Sequence, residues 1–176
     1  MTWLATLSAL MLRLACPPTS ATVPSTVAPS LNVTEPVGTP APEFTALDDA
    51  GRTVALSQLR GRNVVLVFYP GDDTPGCTKQ LCQFRDDWSQ ASARNVAVYG
   101  VNPQSAAHHQ KFRKKFGFPF PLLVDSNQKI AQLYHAHGLI VKRTVYLIGP
   151  TGTILFSRRG MPSPAEVLTS AHVGLS

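Results

Sequence analysis

The sequence has few cysteines, three in 176 residues. Small domains that cannot build a sufficient core are usually rich in disulfides, and three cysteines cannot provide such a scaffold. Residues 36–176 are enough to bury about two thirds of the surface that their unfolded chain exposes. With an apolar fraction of 44%, we expect this part of the chain to fold as a single domain around an ordinary hydrophobic core.

Acidic residues are also scarce, with 10 Asp and Glu against 16 Lys and Arg and a formal net charge of +6. Such an excess can indicate binding to nucleic acid or to an anionic membrane. The residues that would carry a nucleic-acid site are Lys111, Arg113, Lys114, Lys115, Arg158 and Arg159. A solvated basic surface explains the same residues, and we expect no nucleic-acid partner.

The apolar segment at the N-terminus, residues 1–15, is too short to span a membrane. It resembles the core of a signal peptide, although no Lys or Arg precedes it and Arg13 interrupts its end. The run from Arg13 to Cys16 is similar to a bacterial lipoprotein cleavage box, in which Leu is usual where Arg13 stands. We interpret residues 1–16 as a signal or lipoprotein anchor segment with a membrane tether through Cys16. A cytoplasmic protein with a disordered N-terminal tail is the alternative.

The rest of the chain divides into a linker and a domain with alternating strand and helix patterns. Residues 17–35 are rich in proline, serine, threonine and valine, a composition typical of a flexible extended linker. In residues 36–176 the patterns predict strands at 64–69, 96–101, 122–124, 143–148 and 153–157, and helices that follow Thr74, Ser105, Ser126 and Ser163. The first two strands with their intervening helix form a right-handed βαβ unit, and the last two form a hairpin. The fold class is therefore α/β.

The stretch from Thr74 to Cys82 organises this domain, because it follows an apolar run, 64–69, that suits a central strand buried on both faces. Thr74 is a good N-cap and Pro75 suits the first helical position, which makes Cys77 the third helical residue. Capping geometry brings the N–H of that residue towards the Thr74 hydroxyl, so we expect this hydroxyl near the sulfur. The unpaired N–H groups and partial positive charge of a helix start favour a thiolate, the reactive form of cysteine.

The predicted helix continues with an apolar stripe, Leu81, Phe84, Trp88 and Ala91, on the face that also carries Cys77. Cys82 lies off the centre of that stripe. In an intact helix, residues five apart have Cα atoms about 8.5–9 Å apart, from the standard rise and radius, whereas a disulfide requires about 4.4–6.8 Å. If the two cysteines pair, the first turns of the helix must unwind.

Residues 69–86 resemble the active-site segment of the peroxiredoxins, closest to the Q type, also called bacterioferritin comigratory protein. The pattern Pro-x-x-x-Thr-x-x-Cys of that family falls on Pro70, Thr74 and Cys77. Cys82, five residues further on, marks the subtype whose resolving cysteine lies in the same helix. The resemblance spans about residue 36 to the C-terminus.

The resemblance implies a thioredoxin-like fold with a central mixed β-sheet flanked by helices. In that fold the strand at 143–148 runs antiparallel to the strand at 64–69. Arg143, which matches the active-site arginine of the family, would then lie beside Cys77 although the two are far apart in sequence.

The activity implied by the resemblance is that of a thiol-dependent peroxidase that reduces hydrogen peroxide and organic hydroperoxides in antioxidant defence. Cys77 would be the peroxidatic cysteine and form a sulfenic acid, and Cys82 would resolve it as the intramolecular redox disulfide Cys77–Cys82. Thioredoxin or a similar dithiol would reduce that disulfide. No metal or organic cofactor is needed, and a monomer is expected.

Four further residues receive roles through the same resemblance. Thr74 would orient the peroxide and Arg143 would stabilise the charges of the reaction. Pro70 would shield the pocket from water, and Gln80 would help to hold the arginine.

The two cysteines could also belong to two other kinds of site. Thiol–disulfide oxidoreductases of this fold usually carry Cys-x-x-Cys, but four residues separate Cys77 from Cys82. A metal-binding module built from these cysteines and a histidine would lack a second ligand pair. The histidines receive no role, and we predict that His108 and His109 lie on an exposed helix face.

Overall fold

The computed structural model of the protein describes residues 34–171. The predicted anchor segment, residues 1–16, and the predicted linker up to residue 33 lie outside the described residues. No helix within residues 34–171 is long and apolar enough to cross a membrane.

One mixed sheet of seven strands runs through the described part, in the order β2-β1-β5-β4-β3-β6-β7. The strands are β1 Thr45–Asp48, β2 Thr53–Ala55, β3 Asn63–Phe68, β4 Val96–Asn102, β5 Leu122–Val124, β6 Thr144–Ile148 and β7 Ile154–Arg159. The α-helices of this part are α1 Pro75–Asp86, α2 Trp88–Ala93, α3 Ala106–Phe116, α4 Lys129–Leu133 and α5 Pro164–Ser170. Two short 3-10 helices cover Leu56–Leu59 and Ser126–Gln128.

The centre of the sheet is β3, which pairs in parallel with β4 and antiparallel with β6. The predicted strand–helix–strand unit and the predicted β6–β7 hairpin are both confirmed. All six residues of β3 are buried, as expected for a strand that is covered on both faces. The antiparallel register sets Phe68, the last residue of β3, opposite Thr144, the first residue of β6.

The two faces of β3 belong to two separate hydrophobic clusters. Val65 and Val67 pack in the cluster that contains the buried side chains of α1, α3 and α5. Leu66 and Phe68 pack in the cluster on the other face, which contains Tyr134 just after α4. The side chains therefore alternate between the faces, as the period of a strand requires, and α1 is fixed against the sheet by its own apolar stripe.

The helix predicted to run from Thr74 past Ala91 is divided in two at Asp87. The N–H of Asp87 bonds to the carbonyl groups of Arg85 and Gln83, and its φ and ψ of −91° and 9° end the helix. Asp86 and Asp87 disfavour continuation, because negative side chains oppose the dipole at a helix C-terminus. Trp88 and Ala91 of the second piece still pack against the cluster that contains Leu81.

The helix after Ser126 is shorter than its pattern predicts. The carboxylate of Asp125 accepts the N–H groups of Ile130 and Ala131 and so fixes the start of α4. Ile130 and Tyr134, four residues apart, are buried, but Leu133 is 46% exposed. The spacing of Ile130, Leu133 and Tyr134 predicts that all three side chains point inward. For Leu133 this prediction is wrong, because a helix of five residues buries only one narrow side.

Candidate active site

The site is built where β3 ends and α1 begins. Thr74 has extended φ and ψ of −83° and 140°, and its carbonyl accepts the N–H of Thr78 at 2.9 Å. Pro75 is the first helical residue, where its missing N–H costs no hydrogen bond. The predicted register is therefore confirmed, and Cys77 is the third residue of the helix.

The hydroxyl of Thr74 does not cap this helix. It donates to the carbonyl of Gly71 at 3.2 Å, and no side-chain cap bonds the first N–H groups of α1. The predicted hydrogen bond from the third N–H to this hydroxyl is therefore wrong. The reason is the tight loop before the helix, which brings the Gly71 carbonyl within reach of the proton of Thr74. The exposed hydroxyl keeps its lone pairs as acceptors.

Cys77 is a free, fully buried cysteine on the sheet side of α1. Arg143, 66 positions away in sequence, places Nη2 at 3.4 Å from its sulfur. The predicted placement of Arg143 follows from the register of β6, whose first residue pairs with the last residue of β3. A guanidinium at this distance favours the ionised form of the sulfur.

The guanidinium is held by a second partner. Arg143 Nη1 donates to Gln80 Oε1 at 2.8 Å, and Gln80 Nε2 lies at 3.5 Å from the carbonyl of Gly160. Gln80 is fully buried one helical turn after Cys77. One arginine thus bridges the sulfur and the amide, a fork geometry that lysine cannot reproduce.

Gly76 makes room for this contact, a role that the sequence analysis missed. A Cβ at this position would lie 3.1 Å from Arg143 Nη2. A side chain between Pro75 and Cys77 would therefore push the guanidinium away from the start of the helix by a few tenths of an ångström.

Cys82 lies in the same continuous helix as Cys77 and is 1% exposed. Cys77 is free, so the structure describes a state without a Cys77–Cys82 disulfide. The intact helix separates the two Cα atoms by more than a disulfide allows, from standard helix geometry. Pro70 is half-buried after the end of β3.

A buried polar network under the active-site loop was not predicted. Asp72 Oδ1 accepts hydrogen bonds from the Tyr69 hydroxyl and from Asn102 Nδ2, each at 2.8 Å. His109 Nδ1 lies at 2.8 Å from Asp72 Oδ2. The pKa of Tyr69 is raised well above its ordinary value. Burial of the hydroxyl is the largest cause, and the neighbouring Asp72 carboxylate is the next.

The prediction that His109 is exposed is wrong, because its side chain is 0% exposed, whereas His108 is exposed. A signal for this burial was present in the sequence. His109, Phe112 and Phe116 are spaced at three and four residues, the spacing of one helix face, and both phenylalanines are buried.

Four of the six basic residues that could carry a nucleic-acid site already have partners within the domain. Lys115 pairs with Asp73 at 2.7 Å and Arg113 with Asp49 at 3.1 Å. Arg158 contacts Glu166, and the Arg159 guanidinium donates to Thr144 at 2.6 Å. Among residues 34–171, no group of three or more His, Cys, Asp or Glu side chains is placed to hold a metal ion.

The profile of the AhpC/TSA family matches residues 37–157. The chain therefore belongs to the AhpC/TSA family.

Within this family, proteins of similar sequence identify the chain as a peroxiredoxin of the Q or Bcp type. The chloroplastic peroxiredoxin Q of Oryza sativa subsp. japonica is 38% identical over 163 residues, which cover 89% of this chain and 73% of the relative. Peroxiredoxin Bcp of Bacillus subtilis is 36% identical over 128 residues, which cover 68% of this chain and 82% of the relative. The resemblance drawn from residues 69–86 is thereby confirmed.

Solved structures show the same fold. Peroxidoxin BcpB of Mycobacterium tuberculosis superposes with a TM-score of 0.74 at 28% identity, over 80% of this chain and 98% of that one. A mutant of PrxQ from Xylella fastidiosa superposes with a TM-score of 0.71 at 26% identity, over 78% and 94%. The predicted thioredoxin-like α/β fold is confirmed.

Proposed function

We propose that the protein is a thiol-dependent peroxidase that reduces hydrogen peroxide and organic hydroperoxides, and so serves in antioxidant defence. The observation that carries this proposal is the contact of 3.4 Å between Arg143 Nη2 and Cys77 Sγ at the start of α1. The guanidinium and the unpaired N–H groups of the helix both stabilise a thiolate. Membership of the AhpC/TSA family and relatives named as peroxiredoxins support the same activity.

In the first step the Cys77 thiolate attacks one oxygen of the peroxide. An S–O bond forms while the O–O bond breaks, and the second oxygen leaves with the electron pair and takes up a proton as water or an alcohol. The sulfur is oxidised to a sulfenic acid. Arg143, held by Gln80, stabilises the charge that moves onto the leaving oxygen.

The loop residues orient the substrate. The Thr74 hydroxyl donates its proton to the carbonyl of Gly71. Its oxygen is therefore left to accept the hydrogen bond of the peroxide O–H. The half-buried ring of Pro70 shields the reacting sulfur from water.

In the second step the Cys82 thiol attacks the Cys77 sulfenic acid, which forms the S–S bond and releases water. Both side chains are buried in one helix, so the first turns of α1 unwind to bring the sulfurs together. A dithiol reductant of the thioredoxin type then reduces the Cys77–Cys82 disulfide by thiol–disulfide exchange and is itself oxidised. Thioredoxin itself is the proposed donor, and the catalytic unit is a monomer.

The residues before the catalytic domain have proposed roles as well. Residues 1–16 act as a signal or anchor segment, residues 17–35 as a linker, and residues 36–176 as the catalytic domain. The intact mass of the native protein before and after one equivalent of hydrogen peroxide reports cleavage or lipid at Cys16 together with formation of the disulfide.

Two variants test the chemistry. Cys77→Ser abolishes thioredoxin-coupled peroxide turnover, whereas Cys82→Ser consumes one equivalent of peroxide and then stops or overoxidises. Retained turnover in the Cys77→Ser protein would contradict the proposal. Rapid reduction of insulin disulfides without peroxide, combined with slow peroxide consumption, would instead identify a thiol–disulfide oxidoreductase.

A further inference from the structure

The buried pair formed by Asp72 and His109 has no part in the chemistry described above. The Asp72 side chain is 4% exposed and that of His109 is 0% exposed, and their closest atoms are 2.8 Å apart. Because a carboxylate can only accept, the Nδ1 atom of His109 carries the proton of this hydrogen bond. The Nε2 atom of His109 is buried without a hydrogen-bond partner, so the ring is oriented by Asp72 alone.

Three donors converge on this one carboxylate. Besides His109, the hydroxyl of Tyr69 and the amide of Asn102 donate to its other oxygen. These donors come from the end of β3, from the end of β4 and from α3. A buried carboxylate that loses a donor is costly, so the set fixes Asp72 relative to all three elements.

The backbone of Asp72 is fixed as well. Its N–H donates to the side-chain amide oxygen of Gln104, and the Gln104 N–H in turn donates to Asn102 Oδ1 at 2.7 Å. Asp72 thus anchors the loop that connects β3 to α1 through both its side chain and its main chain.

This anchor lies directly before the reacting groups. Asp72 is two residues before Thr74 and five before Cys77, and Asp73 between them has a positive φ of 58°, a conformation that side chains other than glycine rarely adopt. The strained turn at Asp73 persists only where its surroundings hold it. Tyr69, which donates to Asp72, and Cys77 are both fully buried in the same hydrophobic cluster, so the network lies close to the reacting sulfur.

We propose that His109 and Asp72 are positioning residues that hold the 69–74 loop so that Thr74 and the start of α1 meet the peroxide in the reactive geometry. This inference rests on the proposed peroxidase function. The pair touches neither the peroxide nor the sulfur and acts through the loop. It also keeps the loop fixed while the helix after Gly76 unwinds.

The test compares His109→Leu with His109→Asn in the full chain. Leucine removes the donor to Asp72, whereas the amide nitrogen of asparagine can take the place of Nδ1. The second-order rates of the reduced protein with hydrogen peroxide and with iodoacetamide are measured by stopped flow. The peroxide reaction depends on the geometry of the loop, whereas alkylation requires only an accessible thiolate.

We expect His109→Leu to lower the peroxide rate by roughly 10- to 100-fold, the scale of a misplacement of about 1 Å. Its alkylation rate should not fall, since a loosened loop can only expose the buried sulfur further. His109→Asn should recover most of the peroxide rate. The control is His108→Leu, the same substitution at the exposed neighbouring position of α3, which should leave both rates unchanged.

Three results would overturn the inference: a peroxide rate for His109→Leu that equals the wild-type rate, equal losses in both reactions, or no recovery in His109→Asn. If His109→Leu does not fold, His109→Gln replaces it, because the glutamine amide extends to the position of Nε2 and leaves Asp72 without its donor. A wild-type protein that reacts slowly with peroxide would contradict the peroxidase function itself, an outcome separate from failure of the positioning role.

Discussion

Arg143 is the residue on which the reactivity of Cys77 depends, because one guanidinium serves two partners. It lies 3.4 Å from the sulfur and 2.8 Å from the Gln80 amide oxygen. An ammonium group could supply the charge but not both directed hydrogen bonds.

Arg143→Lys should lower the rate of peroxide reduction by roughly 100-fold, the scale found when one preorganised donor is removed from a reacting centre. The rate is measured by stopped flow with hydrogen peroxide. Arg158→Lys, at an exposed arginine that pairs with Glu166, is the matched control and should react at the wild-type rate. A wild-type rate in Arg143→Lys would show that charge alone suffices.

Gly76→Ala should separate activity from stability. The new Cβ would lie 3.1 Å from Arg143 Nη2, so the guanidinium must move by a few tenths of an ångström and the peroxide rate should fall several-fold. Alanine favours a helix over glycine by up to about 1 kcal/mol, so urea denaturation should show equal or higher stability. A variant that loses stability as well as activity would argue against this account of Gly76.

At the scale of elements, helix α1 must serve two incompatible purposes. While it is intact, its start holds Cys77 beside Arg143. To form the disulfide, its first turns must open, because the two Cα atoms are about 8.5–9 Å apart in a helix. Burial of Cys82 at 1% exposure means that the opening also disrupts the packing of α1 against the sheet.

Oxidation should therefore increase amide hydrogen exchange in α1 after Gly76. Exchange is compared between the reduced protein and the Cys77–Cys82 disulfide form by mass spectrometry. Helix α4 is the internal control, since its buried side chains lie in the cluster on the other face of the sheet and its exchange should be the same in both forms. Equal protection of α1 in the two forms would contradict unwinding.

The elements that the sequence predicts well are those with strong local signals. Ser105 caps α3 and Ser163 caps α5, and the apolar run of β3 identifies the central strand. Arg143 could be placed only through the topology implied by the resemblance, because nothing local connects it to Cys77. The break at Asp87 was missed because the apolar stripe continues across it.

Burial and hydrogen bonding in three dimensions explain the remaining errors. The sequence alone predicts an exposed His109, because its partner Asp72 is 37 positions away and no local pattern connects the two. The Thr74 hydroxyl donates to the carbonyl of Gly71 and accepts no N–H of the helix, an arrangement that helix capping preferences do not reveal.

At the scale of the whole molecule, the proposed site needs no second copy of the chain. Cys77, Gln80 and Arg143 belong to one sheet and its covering helix, and the anchor at Asp72 and His109 lies in the same domain. Several basic residues lie in ion pairs such as Lys115–Asp73 and Arg113–Asp49, which the composition alone could not show, but these pairs leave the net charge of +6 unchanged.

The rate of peroxide reduction per Cys77 should accordingly be independent of protein concentration. Stopped-flow rates are measured over a dilution series, with sedimentation velocity at the same concentrations. A rate that falls on dilution together with dissociation of a dimer would show that a second copy contributes to the site.

The central claim is that Cys77 is held as a thiolate in a geometry that activates peroxide. The Cys16→Ser/Cys82→Ser double variant leaves Cys77 as the single thiol of the chain, so its reaction with hydrogen peroxide can be followed directly beside free N-acetylcysteine at the same pH. We predict that Cys77 reacts with hydrogen peroxide faster than the free thiol by orders of magnitude, because the guanidinium of Arg143 lies beside its sulfur. A rate equal to that of the free thiol would contradict the account.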